Sequence, residues 1–173
     1  RAAASQKRLN EFLDIEPDIK DSSSAKDIQL QGNVQFHNVT FTYPDTGIVA
    51  LKDFNLAIAK GEKVAITGRT GSGKSTIAQL LLRMYNVEEG QIKFDDIDIE
   101  DVTLSALRHQ VSYVPQDVFL FSDTVENNIR FGIPNAKREA VVEAAQIAGV
   151  DKEIEGFSSA YDTMIGERGV TLS

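Results

Sequence analysis

From residue 32 onward the apolar positions fall into short, separated runs. Val34, Phe36, Val39 and Phe41 sit among β-branched and aromatic neighbours and predict a strand ending at Tyr43-Pro44. Leu51, Phe54, Leu56 and Ile58 alternate roughly with polar residues, predicting a second strand over 51–59 with a turn at Lys60-Gly61. Lys63 to Thr67 is short, apolar and β-branched, the pattern of a strand buried on both faces. Ser75 to Tyr85 carries Ile77, Leu80, Leu81 and Met84 at helical spacing. Gly90–Phe94 and Val111–Val114 predict further short strands. Thr124–Arg130 predicts a helix, as does Ala136–Ala148 with Val141, Ala144, Ala145 and Ile147, and the stretch after Gly149 is mixed and loop-like. Strands mixed with helices in this order indicate the α/β class.

Upstream the texture differs. Residues 2–15 have helix-forming composition with a narrow stripe of Leu9, Phe12 and Leu13, closed by Pro17. A stripe that narrow does not fold alone, so it is expected to pack on a neighbour or continue an upstream helix. Residues 16–31, polar and centred on Ser22-Ser23-Ser24, read as a linker. The 173 residues suit one domain, alone or with an appendage, and 42% hydrophobic content is enough for a core. The absence of Cys excludes a disulfide scaffold or thiolate metal site. A net charge of −8 argues against a general nucleic-acid binder while leaving room for one local basic pocket. Apolar runs such as 48–51 and 118–121 are far short of the ~20 residues that cross a bilayer, and no signal peptide opens the chain. A start at Arg1 rather than Met, and an end at Thr171-Leu172-Ser173, read as cut points in something longer.

One motif carries chemistry. Gly68-Arg69-Thr70-Gly71-Ser72-Gly73-Lys74-Ser75 satisfies G-x-x-x-x-G-K-[ST], between an expected buried strand and an expected helix. Gly68, Gly71 and Gly73 allow the bare backbone to turn successive N–H groups onto phosphate oxygens, and the helix N-terminus adds partial positive charge. Lys74 is expected to reach the β- and γ-phosphates, Ser75 to ligate Mg²⁺, and Thr76 to donate to the α-phosphate. A chance glycine-rich turn would not need all these fixed positions with the correct flanks. The motif by itself leaves GTPases, small-molecule kinases, DNA-linked ATPases and transporter ATPases open. No Asp-x-x-Gly and no Asn-Lys-x-Asp occurs, which removes the GTPase reading. No run of four apolar residues after the loop leads directly into an aspartate, so the metal-binding carboxylate that a complete P-loop enzyme needs is missing too.

The ordered motifs resemble the nucleotide-binding domain of ABC transporters of the exporter type. Phe41-Thr42-Tyr43-Pro44 is similar to the family's aromatic loop, which implies that Tyr43 stacks on adenine. Val114-Pro115-Gln116-Asp117 resembles the Q-loop, implying that Gln116 approaches Mg²⁺ and takes part in catalysis with Lys74. Phe119-Leu120-Phe121 followed by Thr124-Val125-x-x-Asn128-Ile129 is similar to the exporter segment that meets the transmembrane coupling helices. Gly166-Glu167-Arg168-Gly169 resembles the loop before the ABC signature, and Leu172-Ser173 its first two letters.

The resemblance implies a P-loop NTPase core with an N-terminal antiparallel β subdomain and part of the helical subdomain, the C-terminal portion missing. Residues 1–15 then end the last transmembrane helix, 16–31 are the linker, 32–114 the ATP-binding core, and 115–173 the Q-loop and partial helical subdomain. Arg69, Thr70 and Ser72 join the other loop residues as the cofactor cradle for ATP and Mg²⁺. The implied partners are a transmembrane domain of the same polypeptide and a second nucleotide-binding domain, identical or not, closing head to tail. The implied location is the cytoplasmic face of the plasma or inner membrane. His37 and His109 lie upstream of the family's switch histidine and are expected to be structural or solvated, and the acidic run Asp95, Asp96, Asp98, Glu100, Asp101 a solvated loop. Two other readings share the loop. A soluble ABC-type ATPase of DNA repair or chromosome maintenance fits poorly with Gly166–Gly169 and the net charge. A P-loop small-molecule kinase fits poorly with Pro115-Gln116 and with the lack of an Arg-rich lid.

Overall fold

The computed structural model describes residues 6, 9–10, 12–117 and 119–166; most of the loop at 166–169, and Leu172-Ser173, lie outside the described residues. The chain divides into two compact units, 1–113 and 114–173.

The first unit is built on an antiparallel sheet of order β2-β1-β3-β4, with β1 Val34–Thr42, β2 Val49–Ile58, β3 Glu89–Phe94 and β4 Ile97–Asp98. In β1 the buried positions are Val34, Phe36, Val39 and Phe41, so one step is odd. A strict period of two would turn half of that set to solvent. A bulge between Phe36 and Val39, with Asn38 at φ 48°, restores the face. Opposite it, β2 makes the same odd step from Leu51 to Phe54, with Asp53 at φ 47°. Asn38 and Asn55 lock the pair reciprocally, each side chain bonding to the other residue. Beside the bulge, β3 places Gly90 at φ +85°, where any Cβ would run into the carbonyl oxygens of His37 and Asn38. These strands bury Phe36, Val39, Phe41, Ile92 and Phe94 against Ile77 and Leu80 of helix α1 (Lys74–Leu81) and Leu107 of α2 (Leu104–Gln110).

Helix α1 stops four residues before the expected end, and Met84 is exposed. Arg83 adopts φ 50° and turns its guanidinium inward, only 2% exposed, to donate to the carbonyls of Lys20 (2.7 Å) and Val102 (3.3 Å). Arg108 then donates to the open carbonyls of Leu82 and Arg83 at the helix end. Helix α2, absent from the sequence expectation, is capped by Thr103, whose Oγ1 accepts from the Ala106 amide.

Residues 18–31 run along this unit under hydrogen bonds of their own. Lys26 exchanges backbone bonds with Asp101 and Thr103, Ser24 donates to Asp101, and Leu104 N–H donates to Asp21. Asp95 accepts from the amides of Gln31 and Asn33 and from the Asn33 side chain. Burial works against its charge, but these donors together hold its carboxyl below the usual carboxylate range.

The expected strand at 63–67 forms no ladder, and Val64 and Ile66 are 42% and 43% exposed. The expected strand at 111–114 likewise lacks a ladder, and Val114 is 86% exposed. A buried parallel strand is stable only between neighbours, and among the described residues no strand lies beside either segment.

The second unit packs α3 (Val125–Ile129), α4 (Arg138–Ala148) and α5 (Asp151–Glu155) around Val125, Val141, Ala145, Ile154, Tyr161 and Ile165. Thr124 caps α3, and Gly149 at φ 74° ends α4. The segment expected to be loop-like contributes α5 and returns to bond Asp123 and Val125 through Ile165 and Thr163. Tyr161 donates to Asp151 at 2.6 Å, which pushes its hydroxyl up to about 12. Arg138 lies over the same ring and pairs with Asp162 and Glu126.

Candidate nucleotide-binding site

The phosphate-loop motif spans the turn into α1. Gly73 stands at the N-cap with φ 83°, and a Cβ there would lie 2.5 Å from the carbonyl oxygen of Ala50 and 3.0 Å from Leu51. Only glycine lets the start of α1 seat directly against β2, and this contact aims the helix N-terminus at the loop. Ser72 N–H closes the turn on Arg69 O at 3.2 Å. Lys74 folds back over the loop. Its Nζ donates to Gly68 O and Arg69 O, both at 2.8 Å, and lies 3.4 Å from Ser72 Oγ. The Lys74 ammonium that a phosphate would engage is therefore satisfied by the loop's own oxygens, and an incoming phosphate exchanges with them. Arg69, Thr70, Ser72 and Ser75 are exposed around this turn. Despite the net charge of −8, residues 60–74 hold Lys60, Lys63, Arg69 and Lys74 against Glu62 alone, which gives the loop a local basic setting.

Tyr43 belongs to the same unit. The hairpin between β1 and β2 fixes it, with Tyr43 N–H on Ile48 O and Gly47 N–H on Tyr43 O. Its ring meets Phe41 (5.1 Å) and Tyr85 (5.6 Å) edge to face. Its hydroxyl lies 2.8 Å from Thr76 Oγ1 and 2.9 Å from Gln79 Oε1, both on α1. Thr76 is 3% exposed. Sequence reading passed over Gln79; its one signal was the three-residue spacing from Thr76 on the helix that opens the loop. The structure thus brings Tyr43, Gly68 to Ser75 and Thr76 together in one unit. Gln116 belongs to the second unit, on an exposed bend.

The other candidate groups have structural partners. His37 bonds to Gln35 and His109 to Ser105 O. Within the acidic run Asp95 anchors Gln31 and Asn33, Asp98 caps a short turn at Glu100, and Asp101 accepts from Ser24. Among the described residues no cluster of three His, Asp or Glu could hold a metal ion.

In the second unit Asn128 organises the motif around it. Its Oδ1 accepts from Phe121 N–H at 2.8 Å, and its Nδ2 donates to Phe121 O and Thr124 O. The segment so held presents Phe121, stacked on Phe131 at 4.2 Å, with Phe119 edge-on beside it.

A glycine-built loop, a lysine folded into it and a helix starting on top of it define a phosphate-binding P-loop domain. The chain belongs to the ABC transporter family, whose profile matches residues 51–173. It is 45% identical over its whole length to the ABC transporter ATP-binding protein YwjA of Bacillus subtilis. It is 44% identical to the ATP-dependent lipid A-core flippase of Escherichia coli, again over its whole length. Among solved structures, a bacterial Atm1-family ABC exporter with ATP bound superposes on 99% of the chain with a TM-score of 0.90 and 38% identity. The chain spans 30% of the length of each of these relatives.

Proposed function

We propose that this chain is the ATP-binding domain of an ABC exporter. ATP binds with Mg²⁺ at Gly68–Thr76, and in the whole transporter hydrolysis of the ATP drives export across a membrane. The observation that supports this most is the loop itself: Gly73 seated on β2, and Lys74 held by oxygens that a phosphate can replace. The names of the relatives supply the transport half of the reading.

Bound ATP supplies a phosphoanhydride whose cleavage is thermodynamically downhill, and Mg²⁺ neutralises part of its charge. The chain's own part is to bind and orient. Lys74 swings from the Gly68 and Arg69 carbonyls onto the β- and γ-phosphates. The amides of the loop and of the α1 N-terminus would converge on the same oxygens, and Ser75 Oγ would hold the metal. By the family resemblance Gln116 would be a metal-side group acting with Lys74 in catalysis, and Tyr43 would supply a face for adenine. The partners we propose are a transmembrane domain in the same polypeptide, met at Phe119–Phe121, and a second ATP-binding domain closing head to tail. The site then faces the cytoplasm at the plasma or inner membrane. No helix among the described residues is long and apolar enough to cross a membrane, so the span we propose lies in other sequence.

The sequence offers no apolar run ending in a metal-binding aspartate after the loop. The expected behaviour of the 173 residues is therefore Mg²⁺-dependent ATP binding without turnover. Phosphate release measured beside Lys74→Ala tests this, and turnover that depends on Lys74 contradicts it.

A further inference from the structure

The hydroxyl of Tyr43 sits between two groups on α1 that differ in chemistry. Gln79 Oε1, at 2.9 Å, is an acceptor only. Tyr43 has a single hydroxyl proton, so that bond uses it. The 2.8 Å contact to Thr76 must then run the other way, with Thr76 Oγ1 donating to Tyr43. Thr76 also has one hydroxyl proton, and its side chain is buried against the start of α1. In this arrangement the proton expected to meet a phosphate oxygen is spent on Tyr43. The ring is pinned meanwhile by Phe41 and Tyr85, so the hydroxyl does not drift off.

We propose that Gln79 is a positioning residue for the nucleotide site: by taking the Tyr43 proton it turns the Thr76 proton away from the loop, so phosphate binding must break this chain of bonds. The inference rests on the reading of Gly68–Thr76 as a phosphate cradle. It gives the aromatic loop a second role besides that of a surface for the base, because these bonds lower phosphate affinity through the Tyr43 hydroxyl.

The test is equilibrium binding of magnesium tripolyphosphate, which has no base, to the whole chain and its variants. Tyr43→Phe keeps the ring and removes the hydroxyl, and is expected to tighten tripolyphosphate binding about three- to tenfold, the scale of one exchanged hydrogen bond. Gln79→Leu is expected to act in the same direction, since Tyr43 can then donate to Thr76 and free its proton. In the Tyr43→Phe background Gln79→Leu is expected to add nothing, because its effect passes through the hydroxyl. A purely structural role for these bonds predicts unchanged or weaker binding. Unchanged or weaker binding in Tyr43→Phe overturns the proposal, as does an independent increment from Gln79→Leu. Lys74→Ala separates the two levels. If wild-type binding does not depend on Lys74, the cradle reading fails and takes this proposal with it. If it does, and Tyr43→Phe is no tighter, only the proposal fails.

Discussion

At the scale of single residues, the site is made by positions where no other side chain serves. Gly73 combines φ 83° with backbone contact to Ala50. Gly73→Ala is expected to force α1 away from β2, costing about 1–3 kcal/mol of stability and most of the nucleotide affinity. Thermal melts read the first effect and ATP titration the second. Tyr43 is the residue at which the base and phosphate halves of the proposed site can be tested apart. Tyr43→Ala should weaken ATP relative to tripolyphosphate about tenfold, as the loss of one aromatic stack implies. An unchanged ratio between the two ligands argues against stacking on adenine. The loop was legible in the sequence because its spacing is set by chemistry and is local. Gln79 and Arg83 were not. Both act through partners distant in the chain, Gln79 on Tyr43 and Arg83 on Lys20 and Val102, and nothing local marks them.

At the scale of elements, the antiparallel strands were legible because each buries one face on a core the unit itself supplies. Their odd steps at Phe36–Val39 and Leu51–Phe54 become bulges rather than breaks. Strands 63–67 and 111–114 were expected from β-branched content alone. Composition specifies what such a strand needs on its two faces but cannot supply the neighbours, and none is present among the described residues. Helix α2 escaped notice because Leu104 and Leu107 offer only one turn of periodicity, and its start depends on the Thr103 cap. The polar stretch 18–31 looked like a free linker because its anchors are backbone amides meeting carboxylates far along the chain.

Asp95 makes that last point testable. Its carboxyl is held below the usual carboxylate range in the folded state. The stability it contributes is therefore present above the unfolded value near 4 and is lost as pH falls through the lower folded value. Asp95→Asn places an amide donor against donors and should cost about 1 kcal/mol near neutral pH. The gap from wild type should shrink below pH ~4 in urea melts. A gap independent of pH would show that the carboxylate charge is not what holds residues 31–33. In the second unit, Asn128→Ala removes three bonds to Phe121 and Thr124 and should destabilise that unit by about 1–3 kcal/mol.

At the scale of the whole molecule, the chain folds as two units. The first carries the phosphate loop, Tyr43 and a sheet that fixes both; the second carries Gln116 and the Asn128-held aromatic segment. Family membership rests on a match over residues 51–173 and on relatives of which this chain is 30%. The acidic composition, which pointed away from polyanion binding, gives way locally to four basic residues between 60 and 74. The most direct measurement of the central claim is calorimetric titration of MgATP into the chain beside Lys74→Ala. The account predicts saturable one-site binding that is lost, or weakened at least tenfold, when Lys74 is removed, as expected for a charge-assisted phosphate contact. Equal binding by both proteins, or binding by neither, would contradict it.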